Sequence, residues 1–353
     1  RVAGRTHRGG HATYATWRWH IQANALKRET FEKYQVYLYL SAISAGLLAG
    51  LNYPVLESML PALLWPLLAV MIYTTFTQVP LTKLHQAFSD SRFLTAAVIG
   101  NFILLPMVVW LLLRLAPEQP AVQLGIALVL LVPCTDWFVT FTHLGRGDTR
   151  HAIAFTPVSL LLQLLLLPVY LWLFLDNEIA GNVLRQELVI AFLGLIVLPL
   201  FFAMITEHWC SRRDDRAVLL GRLAWLPVPL LALVVFCIAA AQVRTVIAAW
   251  PILAQLALVF VLFLLAAALL SRLISHWFRL PSGQGRVLAF SLGSRNSFVV
   301  LPLALALPAS YELTAVVVVF QSLIELVGLA FFVWWVPHKL YPETGSGACP
   351  LDS

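Results

Sequence analysis

Apolar positions along the chain gather into long runs separated by short polar and basic stretches. Each run is close to the ~20 residues that span a ~30 Å hydrocarbon core at 1.5 Å per helical residue. Ten runs are predicted as membrane helices, at 36–51, 61–80, 93–115, 121–143, 151–175, 186–206, 223–242, 251–275, 287–308 and 313–336. The expected class is an all-α polytopic membrane protein.

Composition narrows the picture. Of 353 residues, 60% are hydrophobic and 11% charged, against roughly 45–50% and 25% in a soluble domain. A soluble enzyme and a disordered chain are both excluded by that balance. The 18 glycines and 20 prolines carry no fibrous repeat.

The basic residues set an orientation, because short cytoplasmic loops retain Lys and Arg. Nineteen of the 23 fall on the N-terminal segment, the even-numbered loops and the tail. Arg114, Arg185 and Arg244 lie on the other side, and Arg295 lies inside a run. Ten spans with both termini in the cytoplasm satisfy this split, so the pI of 9.3 reports topology and not nucleic-acid binding. Residues 1–34 lack an apolar core and read as a basic cytosolic arm, with residues 338–353 as a cytosolic tail. The cysteines Cys134, Cys210, Cys237 and Cys349 show no CxxC spacing and no disulfide framework is expected.

In lipid, a broken helix is tolerated only where it lines protein or a watery cavity, so interruptions point to sites. The fourth run contains Pro133, Cys134, Thr135 and Asp136, and the ninth contains Gly293, Ser294, Arg295, Asn296 and Ser297. Each is fourth in a block of five. Five is odd, so two such halves, 35–180 and 181–337, would insert in opposite senses, as in transporters built from inverted repeats.

Three charges sit well inside runs: Asp136, Arg295 and Glu325. A charge at a helix centre costs about 2.5–3.5 kcal/mol on insertion scales, so each calls for a partner or a cavity. Asp136 and Arg295 could form a buried pair where helices four and nine cross, or a pair that opens during transport. Glu325, between Ile324 and Leu326, has no basic neighbour on its helix; proton exchange or a hydrogen bond to Gln321 would account for it. Cys134 is either a small buried hydrophobe or a thiolate ligand for a soft metalloid. Asn101, Gln163, His143 and Thr74 to Gln78 are lesser candidates for a cavity lining. No nucleophile-base set, P-loop or metal-ligand spacing is found, and no enzyme or cofactor is expected.

The motifs VPCTDWFVTFTHLGRGD, AFSLGSRNSFVVLPLALALP and QSLIELVGLAFF resemble the bile acid:sodium symporter superfamily, and within it the arsenical-resistance permeases, over about residues 35–340. The resemblance implies two inverted five-helix repeats, core and panel domains, and crossed discontinuous helices four and nine. It implies metalloid binding at Cys134, proton coupling at Glu325, and a crossing-point asparagine at Asn296. The pattern also departs from the family. Ser297, Phe298 and Val299 replace an acidic continuation, and Ser291 and Arg295 stand where the bile-acid branch has Glu and Gln. A guanidinium there would repel Na⁺ by about 4 kcal/mol at 4 Å separation and an effective dielectric near 20.

Together these readings give a secondary transporter in a bacterial inner membrane, an arsenite exporter that is proton-coupled or a uniporter. Cys134, Thr135, Arg295, Asn296 and Ser297 would bind substrate, and Glu325 and Asp136 would handle protons. An organic-anion carrier of the bile-acid type, with sodium, is the alternative.

Overall fold

The computed structural model describes residues 35–135, 137–174, 189–190, 192–210 and 214–342. The regular structure among these residues is helical, joined by turns and short irregular segments, with one isolated β-bridge. Asp136, the arm 1–34 and most of the tail lie outside them.

Thirteen helices are named here in chain order: α1 (Gln35–Asn52), α2 (Leu56–Phe76), α3 (Ser91–Leu113), α4 (Pro120–Leu130), α5 (Trp137–Leu144), α6 (Thr149–Phe174), α7 (Leu193–Cys210), α8 (Asp214–Leu223), α9 (Pro227–Ala241), α10 (Val243–Trp277), α11 (Ser282–Gly293), α12 (Ser297–Leu305) and α13 (Glu312–Trp335). Among the described residues, seven helical stretches are long and apolar enough to cross a membrane. The other three expected spans depart for local reasons. The first is a shorter apolar helix, and the fourth and ninth are each two half-helices, α4–α5 and α11–α12, split at the polar clusters.

The first helix is held by close approach and not by size. Gly46 and Gly50 are four residues apart on α1, and a Cβ on either would fall on a backbone carbonyl of α9, that of Phe236 or Ala240. Small residues at this spacing let membrane helices approach to backbone contact, where dispersion and Cα–H contacts replace the hydrophobic effect that lipid cannot supply.

α3 contains a π-turn, Gly100–Leu104, just where Asn101 and Phe102 enter the core. Tyr170 on α6 donates its hydroxyl to the Phe102 carbonyl and ties α6 to that turn.

Candidate functional site

The two interruptions meet. Pro133 and Arg295 form an antiparallel bridge: the Cys134 N–H donates to the Ser294 carbonyl at 3.1 Å, and the Asn296 N–H to the Val132 carbonyl at 2.8 Å. Backbone groups freed by breaking each helix are therefore satisfied by the other break, as a dry interior requires. Asn296 secures the crossing twice. Its Oδ1 caps α12 by accepting from the Val299 N–H at 3.3 Å, and its Nδ2 donates to Thr135 Oγ1 at 3.3 Å.

Among the described residues Arg295 is the largest fully buried side chain, at 2% exposure. Its guanidinium lies among oxygens. Nη2 donates to Ser291 O at 2.7 Å, Leu292 O at 3.0 Å and Asn101 Oδ1 at 3.0 Å, and Nη1 reaches Leu130 O at 3.4 Å. Leu130 closes α4, and Ser291 and Leu292 belong to the last turn of α11, so the cation sits where two helix C-termini direct their unpaired carbonyls and negative dipole ends. The Phe263 ring lies 5.5 Å away, within range of a cation–π contact. Nε finds no acceptor among the described residues.

Glu325 meets the same residue at its backbone. Its Oε1 accepts the Arg295 backbone N–H at 3.0 Å, and its Oε2 accepts from Gln321 Nε2 at 2.6 Å. Gln321 Oε1 in turn accepts from Ser297 Oγ at 2.8 Å. The chain Ser297–Gln321–Glu325–Arg295 links α12, α13 and the α11–α12 break. Cys134 is buried beside it on the α4–α5 break.

The structure thus gathers Cys134, Thr135, Arg295, Asn296, Ser297 and Glu325 at one crossing. The expected partner of Arg295, Asp136, lies outside the described residues. Asn101, expected from the sequence only as a lesser candidate for a cavity lining, is 0% exposed and holds both Arg295 and Ser291 Oγ. One contributor escaped sequence reasoning, a cluster at the head of α3, α6 and α11. His151 Nε2 lies 3.3 Å from Asp90 Oδ2, and its Nδ1 lies 3.0 Å from Asp148 Oδ2. Gln284 Nε2 donates to Asp90 Oδ2 at 2.7 Å. The Phe93 N–H, Gln284 and His151 hold the Asp90 carboxyl below its ordinary value despite some burial. A cavity of about 580 Å³ opens beside this cluster, lined by His85, Asp90, Arg150 and His151 over Phe93 and Phe155.

Helices long enough to cross a bilayer, surrounding two broken segments that meet around buried charges, define a membrane transporter. The sequence profile of the Sodium Bile acid symporter family matches residues 65–273, more than half of the chain, which therefore belongs to that family. The Arsenical-resistance protein Acr3 of Corynebacterium glutamicum is 21% identical over 322 residues, covering 86% of this chain and 84% of that protein. The family match ends before α11, so Arg295, Asn296 and Glu325 lie beyond it.

Proposed function

We propose that the chain is a ten-span secondary exporter of arsenite or a related trivalent metalloid. Its two inverted halves would be 35–180 and 181–337, and both termini would lie in the cytoplasm of a bacterial inner membrane. The observation that carries the reading is the buried crossing of α4–α5 with α11–α12. It brings a buried thiol, Cys134, whose N–H donates to the Ser294 carbonyl, to the same break at which the Glu325 carboxyl accepts the Arg295 N–H. In this account Cys134 is the metalloid ligand, Thr135, Asn296 and Ser297 complete the oxygen surroundings, and Glu325 exchanges the coupling proton, with Asp136 in the same role. The lopsided basic loops support the orientation. One thiol is too few for a three-sulfur cage, so oxygens fill the remaining ligand positions.

Arg295 supplies the charge that a coupling cation would otherwise bring to the two helix C-termini, which favours protons or uniport over sodium. The same geometry weighs against an organic-anion carrier, because the guanidinium is turned onto four protein oxygens inside the bundle. Substitution separates the two. Cys134→Ser is expected to abolish arsenite export by cells lacking other exporters, while undiminished export would remove the ligand role. Loss of organic-anion uptake in Arg295→Gln with arsenite tolerance retained would instead favour the carrier.

A further inference from the structure

Helix α6 carries two buried polar side chains that the crossing does not use. Ser159 is 0% exposed and Gln163 is 1% exposed, and among the described residues Ser159 Oγ, Gln163 Oε1 and Gln163 Nε2 all lack a partner. They are four residues apart on one helix and so project from one face. Their surroundings are fixed by contacts on the same face. Four residues before Ser159, Phe155 meets Phe138 of α5 edge-on at 6.5 Å and Phe93 of α3 at 6.4 Å. Seven residues beyond Gln163, Tyr170 donates to Phe102 in the α3 π-turn. Ser159 and Gln163 thus lie along the stretch of α6 that runs from the start of α5 to the π-turn of α3, and α6 packs against α3, α4 and α5.

Buried polar groups in native proteins are nearly always paired, and a carboxamide unpaired at both ends marks a place for a guest. The donor and acceptor inventory selects its chemistry. An anion only accepts and would leave Gln163 Oε1 unpaired. A metal cation accepts nothing from Nε2. A neutral molecule with several hydroxyls both donates and accepts, and satisfies all three atoms.

We infer that Ser159 and Gln163 form a subsite for a small uncharged polyhydroxylated solute, which in the reading above is the trihydroxide of trivalent arsenic. The cargo rests on that reading; the preference for a neutral hydroxylated guest rests on the unpaired atoms alone. Removing groups that serve only a guest should leave the fold intact, because replacing unpaired polar groups by apolar ones of similar shape is close to neutral.

The test uses the full-length protein, wild type against Gln163→Leu, with Ser159→Ala as the milder second variant. Arsenite uptake is measured in everted vesicles, and thermal protection of purified protein is measured with arsenite, boric acid and arsenate. Expected are an unchanged or raised Tm in both variants, initial arsenite uptake at least tenfold slower in Gln163→Leu, and protection of wild type by the neutral trihydroxides but not by arsenate, lost in the variants. Protection by boric acid alone, lost on substitution, would sustain the subsite while overturning arsenite as cargo. Variants that transport within twofold of wild type and keep the protection would overturn the subsite and leave these residues as holders of internal water. So would a wild type that neither probe protects.

Discussion

The carboxylate of Glu325 meets Arg295 at its backbone, accepting the N–H at 3.0 Å, while the guanidinium of the same residue turns onto carbonyls and an amide. Two of the donors to the acid, the Arg295 N–H and the Gln321 amide, are neutral groups, so a neutral isostere of the carboxyl can keep one of them without disturbing the oxygens that hold the guanidinium.

For Glu325 this predicts a split between stability and transport. Glu325→Gln can still accept from the Arg295 N–H through its amide oxygen, so its Tm should stay near that of wild type, while proton-linked export should fall at least tenfold. Glu325→Ala leaves the Arg295 N–H and the Gln321 amide without partners, and should destabilise by about 1–3 kcal/mol. Thermal unfolding in detergent and vesicle flux, measured on both variants, check the two halves separately.

Arg295→Met would empty a cage made by Leu130 O, Ser291 O, Leu292 O and Asn101 Oδ1. Loss of the charge should destabilise by about 3 kcal/mol, since one member of a buried polar arrangement is removed. Carbonyl and amide oxygens without a cation suit a hard ion. The variant should therefore gain a Na⁺-dependent rise in Tm that wild type lacks. Equal sodium response in both proteins would contradict the assignment of Arg295 as the resident cation.

At the α1–α9 contact, Gly50→Leu should separate the two backbones, because the added side chain would have to occupy the position of the Ala240 carbonyl. Overpacking of this kind costs about 1–3 kcal/mol. The drop in Tm should exceed that from Gly194→Leu, where a Cβ meets nothing within 4 Å.

Asp90 caps α3 through the Phe93 N–H at 3.0 Å and accepts from Gln284. The Phe93 N–H bond is the main cause of its lowered pKa, with Gln284 and His151 adding to it. A carboxyl lowered in the folded protein stabilises fully above its ordinary value, and that contribution disappears as pH falls through the lowered one. Asp90→Ala should lose about 1 kcal/mol at neutral pH, a typical capping value. The Tm gap between wild type and variant should close on acidification below the ordinary carboxylate range.

The crossing was legible because its signals are local: Pro133 and the polar residues after it, and the run from Gly293 to Ser297, stand out against apolar helices. Glu325 and Gln321 were legible for the same reason, being one turn apart on one helix. The partners of Arg295 were not. A buried guanidinium suggests a carboxylate, and the acceptors found are main-chain carbonyls that converge only once α4 and α11 end at the same place. Asn101 reaches the site through a π-turn, which no residue spacing announces. The Gly46–Gly50 contact is written as GxxxG, but it lies in an ordinary apolar run whose partner, α9, is almost 200 residues away. His151 likewise acquires Asp90 and Gln284 only through the packing of three helix ends.

The central claim, export of trivalent arsenic through a site at Cys134, is tested most directly by arsenite accumulation in everted membrane vesicles carrying wild type or Cys134→Ser. The account predicts accumulation above empty vesicles for wild type, and a loss of at least tenfold in the serine variant at equal protein level. Accumulation by Cys134→Ser equal to that of wild type, or none by wild type, would contradict it.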